Sequence, residues 1–278
     1  ADTYSDPSVV SFARENLINL KIDAEKGEGI ELAEKYNIRG FPTIVFTNNR
    51  GDEIDRIVGY KDPDQFFSEL SRIKSGRNTL PTLLTDFQTN PNNFSTLFKL
   101  TKKYEAMGDP ASATRMINAI LKAGVDSSGT AKFFSILYQS REIQKPDGLL
   151  EYANNHPESG YLTTALQEAM YFIRRIGKNK QLEADVYVRL INSYEEENPG
   201  MLNSFSWRMS ELKLYLDLAL EKVTWAIEQT SDNKQKHMFI DTKAEILWKL
   251  NRIDDAILEI EKCTTFDPNN SYYKEQLE

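Results

Sequence analysis

The stretch Ile38-Arg39-Gly40-Phe41-Pro42-Thr43-Ile44-Val45-Phe46 carries the strongest structural signal in this 278-residue chain. Proline has no amide hydrogen to give to a sheet, so it is found at the first residue of a strand, on an edge strand or at a bulge. The residues that follow Pro42 are β-branched and aromatic, which favours a strand. The sequence therefore predicts a strand over residues 43–47 that opens at a proline.

The elements on either side of this stretch alternate between helix and strand. Asp6 followed by Pro7 is typical of a helix start, because aspartate caps the first turn and proline fits its first position. Alternation of apolar and polar residues predicts strands at residues 18–23 and 54–58. The predicted order is helix (from 6), strand (18–23), short helix (31–36), proline-opened strand (43–47), turn (48–52), strand (54–58) and helix (from 62).

This order, together with the motif apolar-x-Gly-x-Pro-Thr before a strand, resembles the cis-proline loop region of the thioredoxin family. The resemblance covers residues 1–74 and implies a cis Phe41–Pro42 bond and a loop whose backbone binds extended polypeptide substrates. The substrate-binding residues that it implies are Arg39, Gly40, Phe41, Pro42, Thr43 and Gly59, the last being the glycine that ends the returning strand. For two of these side chains an alternative interpretation stands beside substrate binding. Arg39 is then a solvated loop residue, and Phe41 is a half-buried anchor.

The chain departs from the thioredoxin pattern at its front end. Thioredoxins place a strand and then Cys-x-x-Cys at the start of a long helix, whereas the one cysteine of this chain is Cys263. Residues 3–7 resemble the tail of that helix and the turn after it, so we expect the cysteine pair a few residues before Ala1. The missing strand is expected between residues 18–23 and 43–47, where a gap exposes unpaired backbone groups. No catalytic residue is therefore assigned within the chain.

Residues 75–81 interrupt the helical and strand spacing of apolar residues. We predict them to be a linker between a thioredoxin-like domain (1–74) and a helical domain (82–278). In the second part, three sets of residues share a spacing of four and then three positions: Ala113, Ile117 and Ile120; Ala219, Val223 and Ala226; and Ala256, Ile260 and Cys263. This pattern resembles the tetratricopeptide repeat and implies a helical solenoid that binds a partner. The predicted fold class is α/β plus all-α.

Composition excludes several classes of function. The net charge is −8 and there is no dense basic stripe, which argues against a nucleic-acid partner. No apolar run reaches the roughly 20 residues that a membrane-spanning helix needs. His156 and His237 lie far apart, and no His or Cys cluster has the spacing of metal ligands, so neither a metal nor another cofactor is predicted. Cys263 is either a reactive thiol or a small buried residue at a packed repeat position, and burial is the commoner state of free cysteine.

Two functions remain open at this stage. The first is thiol–disulfide interchange on protein substrates by a full-length form, with a helical domain that binds a protein or peptide partner. The alternative is a non-catalytic adaptor, similar to a chaperone, whose thioredoxin-like domain is inactive in redox chemistry. The residues that precede Ala1 distinguish the two hypotheses. The resemblance favours a periplasmic location, with the cytoplasm as the alternative.

Overall fold

The computed structural model describes residues 2–194 and 196–277, and its contacts divide the chain into two compact units, residues 1–138 and 139–278. The first unit begins with α1 (Asp2–Ser5), α2 (Pro7–Asn16), α3 (Glu28–Lys35), β1 (Thr43–Thr47), β2 (Glu53–Val58) and α4 (Pro63–Lys74). The predicted caps are confirmed, because the Asp6 carboxylate accepts hydrogen bonds from the amides of Ser8 and Val9 at the start of α2. Asp62 caps α4 in the same way, through the amide of Gln65.

The strands β1 and β2 form an antiparallel hairpin in which Thr43 pairs with Val58 and Phe46 with Asp55. A register shift follows Phe46, just before the turn. Among the described residues the sheet has these two strands only, so the edge of β1 that faces away from β2 has no strand beside it. Such an edge presents a row of backbone groups that can pair with a further strand.

Apolar residues from α2, the hairpin and α4 form a small core. Its buried members are Val9, Ile57, Phe66, Leu70 and Ile73, against which Phe12, Leu17, Ile44 and Phe46 pack while partly exposed. The two helices therefore cover one face of the hairpin. The α/β character predicted for this part of the chain is confirmed.

The prediction of a strand at residues 18–23 is wrong. The chain from residue 17 to residue 23 has no regular secondary structure, and the side chains of Ile18 and Leu20 are 94% and 79% exposed. Alternating apolar residues favour a strand, but a single strand is not stable unless a neighbour pairs with it. In the described part of the chain no strand pairs with this segment, so its strand-forming residues remain unpaired and in solvent.

Helices make up the rest of the described chain. They are α5 (Leu80–Thr89), α6 (Phe94–Ala106), α7 (Pro110–Ala123), α8 (Thr130–Ile143), α9 (Asp147–Asn155), α10 (Leu162–Ile176), α11 (Lys180–Asn192), α12 (Pro199–Leu212), α13 (Leu216–Gln229), α14 (Asn233–Lys249), α15 (Ile253–Phe266) and α16 (Ser271–Glu275). None of the helices in residues 2–194 and 196–277 is both long and apolar enough to cross a bilayer. The predicted all-α second part is confirmed.

The residues that share the repeated spacing all face the interior. Helix α6 packs on α7, α12 on α13, and α14 on α15, and the sets that start at Ala113, Ala219 and Ala256 are buried on the second helix of each pair. Small residues at these positions let two helices approach closely. The Asp109 carboxylate caps the start of α7, and the helix ends at Gly124 in a left-handed conformation.

The predicted linker and the observed helices overlap by two residues. Leu80 and Pro81 form the first turn of α5, and Thr79, which precedes them, is buried. The hydroxyl of Thr79 donates a hydrogen bond to the carbonyl of Gly76 at 3.1 Å. The segment between α4 and α5 is thus a short ordered turn, and the boundaries at residues 74 and 82 stay a prediction.

Candidate functional site

The proline loop joins α3 to β1 and lies against the end of β2. The Phe41–Pro42 peptide bond is cis, as the resemblance predicted. The Gly59 amide donates a hydrogen bond to the Pro42 carbonyl at 2.9 Å, and the Thr43 hydroxyl donates one to the Gly40 carbonyl at 2.8 Å. Gly59 has a φ of +80°, a conformation that glycine adopts readily. The structure therefore brings the predicted residues at both strand ends together.

The surface around this loop is open and partly apolar. Gly40, Phe41 and Pro42 are exposed, and a side chain built at Gly40 or Gly59 would meet no other atom within 4 Å. The Phe41 ring is 67% exposed, so it does not serve as a half-buried anchor. Tyr60, which follows Gly59 at the end of the hairpin, is 64% exposed. An exposed aromatic residue thus adjoins each of the two hydrogen-bonded residues, Pro42 and Gly59.

Val58 and Tyr60 are members of this surface that the sequence analysis did not identify. They flank Gly59, and Val58 is half exposed although it ends a strand. Their position in the sequence could have identified them, because both are neighbours of Gly59 and must therefore lie near the loop. The exposed valine and tyrosine make the surface next to Gly59 partly apolar.

Arg39 is exposed, but its guanidinium is bound. Its Nη2 donates a hydrogen bond to the Gly108 carbonyl at 2.8 Å, and its Nε donates one to Asn37 Oδ1 at 3.2 Å. The Asn37 amide nitrogen in turn donates to the carbonyls of Met107 (3.0 Å) and Gly108 (2.8 Å). Both side chains therefore contact the C-terminal end of α6, and Arg39 is not a freely solvated loop residue.

Charged side chains lie buried beneath this contact. Arg56, on β2, donates hydrogen bonds to the carbonyls of Tyr36 (2.7 Å) and Ala106 (3.1 Å) and pairs with Glu53 at 2.6 Å. The sequence analysis did not foresee their burial, because charged residues in an alternating strand normally face solvent. Arg56 thus fixes the end of α3 and the end of α6 to the same strand.

A second buried ion pair links β2 to α4. The Asp55 carboxylate, fully buried, binds Arg72 at 2.8 Å and also Lys103 of α6. Burial opposes the charge of Arg72, but its hydrogen bonds to Glu69 and Asp55 outweigh that effect and raise its pKa. The guanidinium therefore stays charged in the core of the domain.

Cys263 lies in the second unit and is fully buried. Its Sγ is 3.4 Å from the His237 carbonyl. Burial, with smaller contributions from Asp241 and Glu259, raises the pKa of the thiol to about 12. A reactive cysteine needs an accessible thiolate, so this environment suppresses its chemistry. In residues 2–194 and 196–277 no group of three His, Cys, Asp or Glu side chains is placed to hold a metal ion.

The part of the chain that carries the Pro42 loop is a helix-covered hairpin. The hairpin opens at a cis-proline and has a glycine at the paired strand end. Residues 4–74 match the family model of a thioredoxin-like domain. The family match agrees with the resemblance of the sequence motif, and it covers residues 4–74 only.

The curated relatives described below share one name. Residues of this chain are 34% identical over 73 positions to the thiol:disulfide interchange protein DsbD of Pectobacterium atrosepticum. The identity is 35% over 71 positions for the protein of that name from Yersinia pestis and 32% over 75 positions for that from Haemophilus influenzae. These matches cover 24% to 26% of this chain and 12% to 13% of the relatives. The chain thus matches a small part of proteins named for thiol–disulfide interchange.

Proposed function

We propose that this chain is part of a protein that carries out thiol–disulfide interchange on protein substrates, with the Pro42 loop as the substrate-binding surface. The observation that carries the proposal is the open loop, where the Gly59 amide bonds Pro42 and both glycines leave space above the backbone. Phe41 and Tyr60 supply apolar contact on either side of that space. The names of the relatives support the same chemistry.

The reaction needs two cysteines that this sequence does not contain. In thiol–disulfide exchange a thiolate attacks one sulfur of a substrate disulfide, forms a mixed disulfide and releases the other substrate sulfur as a thiolate. A second cysteine then attacks the mixed disulfide, which leaves the enzyme oxidised and the substrate reduced. Cys263 is buried and single, so we place the pair on a segment that precedes Ala1 in a longer form.

The sheet has room for that segment. Among the described residues the outer edge of β1 has no strand beside it, and Ile18 and Leu20 are exposed; both features are compatible with a further strand. A helix that follows such a strand would begin near the Pro42 loop, and a helix N-terminus lowers the pKa of a cysteine placed there. This arrangement would bring an attacking thiolate to the surface that holds the substrate.

We further propose that the helices after residue 82 form a tetratricopeptide-like domain that binds a protein or peptide partner. The buried small residues Ala113, Ala219 and Ala256, one in each helix pair, support this assignment. We place the protein in the periplasm, with the cytoplasm as the alternative, on the strength of the family resemblance.

A non-catalytic binding protein is the second candidate. The burial of the single thiol favours it, because without a further cysteine the loop can hold a peptide but cannot exchange a disulfide. In this case the Pro42 loop and the helical domain act together as an adaptor.

An insulin-reduction assay on two forms of the protein tests the proposal. The 278-residue chain should be inactive, and a form extended to include the natural upstream segment should reduce insulin. A variant of the longer form with its second cysteine replaced by alanine should accumulate a mixed disulfide with the substrate. An upstream segment without Cys-x-x-Cys, or an inactive longer form, would support the adaptor instead.

A further inference from the structure

The C-terminal end of α6 lies directly against the residues that lead into the Pro42 loop. The last carbonyls of a helix have no partner within the helix and need donors from elsewhere. Here the carbonyl of Ala106 accepts from Arg56, that of Met107 from Asn37, and that of Gly108 from both Asn37 and Arg39. Arg56 and Asn37 thus bind the last carbonyls of a helix that lies outside the family match, and Arg39 binds the residue after its C-cap.

Charge and space both favour this contact. The end of a helix carries a partial negative charge, which the guanidinium groups of Arg39 and Arg56 complement. Gly108 has a φ of +68°, and a Cβ at this residue would lie 2.5 Å from Asn37 Nδ2 and 2.8 Å from Arg39 Nε. The two side chains therefore occupy the space that the glycine leaves.

We propose that Arg39 and Asn37 are positioning residues, through which the end of α6 fixes the backbone of the Pro42 loop for substrate binding. This inference rests on the proposed substrate role of the loop. Arg39 immediately precedes Gly40, whose carbonyl accepts the hydrogen bond from Thr43, so the anchored side chain and the loop backbone are continuous. The helical region then acts on the substrate surface without touching the substrate.

Arg39 is the suitable residue to replace, because it is exposed and outside the core, whereas Arg56 is buried and holds three elements together. The reporter is the Gly59 amide, which is hydrogen-bonded to Pro42 and measures local opening of the loop. Hydrogen exchange of this amide in the 278-residue chain, followed by NMR, should be about fivefold faster in Arg39→Ala and Asn37→Ala. Exchange at the amide of Leu70, in the core, should accelerate less than exchange at Gly59.

Arg50→Ala is the matched control. Arg50 is an exposed arginine in the hairpin turn that pairs only with Asp52 among the described residues, and its removal should leave the Gly59 amide unaffected. The inference is overturned if Arg39→Ala leaves exchange at Gly59 unchanged. It is also overturned if exchange at Leu70 accelerates equally, because the role of Arg39 would then be general stability.

A second readout uses the extended, active form. Arg39→Ala should raise KM for a protein disulfide about fivefold and leave kcat within about twofold, since the cysteines are untouched. Arg39→Lys should give an intermediate KM, because an ammonium reaches one carbonyl but cannot also bind Asn37 in the same plane. An inactive wild-type longer form would refute the proposed function, whereas the exchange measurement would still decide the present inference.

Discussion

The guanidinium of Arg39 donates to the carbonyl of Gly108 at 2.8 Å, across 69 residues of sequence. This hydrogen bond joins the residue before the Pro42 loop to the residue that follows the C-cap of α6. It shows that the thioredoxin-like region and the first helices after it share contacts beyond the limits of the family match. The stability of the two regions should therefore be measured on the whole chain.

Gly108→Ala should destabilise the protein more than Gly124→Ala. Both glycines have a left-handed φ, which costs alanine about 1–2 kcal/mol. At Gly124 a Cβ meets no atom within 4 Å, whereas at Gly108 it displaces Asn37 and Arg39 and weakens their hydrogen bonds. The extra loss should be about 1 kcal/mol in urea unfolding. Equal losses in the two variants would show that the contact contributes nothing to stability.

Asp55→Asn should strongly destabilise the first unit. The substitution leaves the buried cations of Arg72 and Lys103 without their carboxylate, and removing one partner of a buried ion pair costs about 3–5 kcal/mol. The control is Asp52→Asn, which removes an exposed ion pair with Arg50 and should cost less than about 1 kcal/mol. Unfolding free energies of the two variants give the comparison, and a loss for Asp55→Asn as small as that of the control would contradict the expectation.

Cys263 should be inert in the folded protein. With a pKa of about 12, only about one thiol in 10,000 is ionised at pH 8, and burial blocks access as well. Labelling by a thiol reagent should be at least about a hundredfold slower than in urea. Cys263→Ala should cost about 1 kcal/mol of stability. Rapid labelling under native conditions would reveal an accessible thiol.

Asp241 should make stability depend on pH. Burial, followed by the nearby carboxylate of Glu245, raises its pKa to about 6, against the opposing hydrogen bond from Tyr272. Between its ordinary pKa and this value the folded state binds more protons than the unfolded state, so the free energy of unfolding falls as the pH rises. Above pH 6 Asp241 is ionised in the folded state and its full destabilising effect is present. Below pH 4 the carboxyl is protonated and this effect has disappeared.

Asp241→Asn removes the cost of burying an ionised carboxylate at this position. It should stabilise the protein at pH 7 by on the order of 1 kcal/mol, after allowance for solvent screening, and should change little at pH 4. Glu228→Gln, at an exposed position of α13, is the control and should show no such difference. The measurement is thermal or urea unfolding at the two pH values. A gain for Asp241→Asn that is equal at both would exclude titration of this carboxylate as the cause.

Local sequence signals predicted the hairpin and the capped helices, because each depends on residues close together in the chain, and the family resemblance implied the cis bond at Pro42. The segment at residues 18–23 has the right alternation for a strand, but strand formation depends on a neighbour that the segment itself does not encode. The burial of Asp55 and Arg56 was likewise not predictable, since it depends on Lys103 and the carbonyl of Ala106.

For the candidate site, the family resemblance implied that Gly59 belongs to the same surface as Pro42, and the structure joins the two by a backbone hydrogen bond. The motif did not predict that Arg39 binds the end of α6, because that contact joins a side chain to a distant carbonyl, and carbonyls have no sequence signature. Tyr60 was missed for a related reason, since its neighbour Gly59 meets Pro42 through a backbone hydrogen bond.

The free edge of β1 also governs how the protein behaves in concentrated solution. Thr43–Thr47 is an uncharged, β-branched and aromatic segment of the kind that pairs with copies of itself, and the exposed Ile18 and Leu20 lie on a second strand-forming segment of the same unit. The 278-residue chain is therefore expected to self-associate as its concentration rises. Replacement of Val45, in the middle of that edge, by a charged residue would oppose this self-association and keep the chain monomeric.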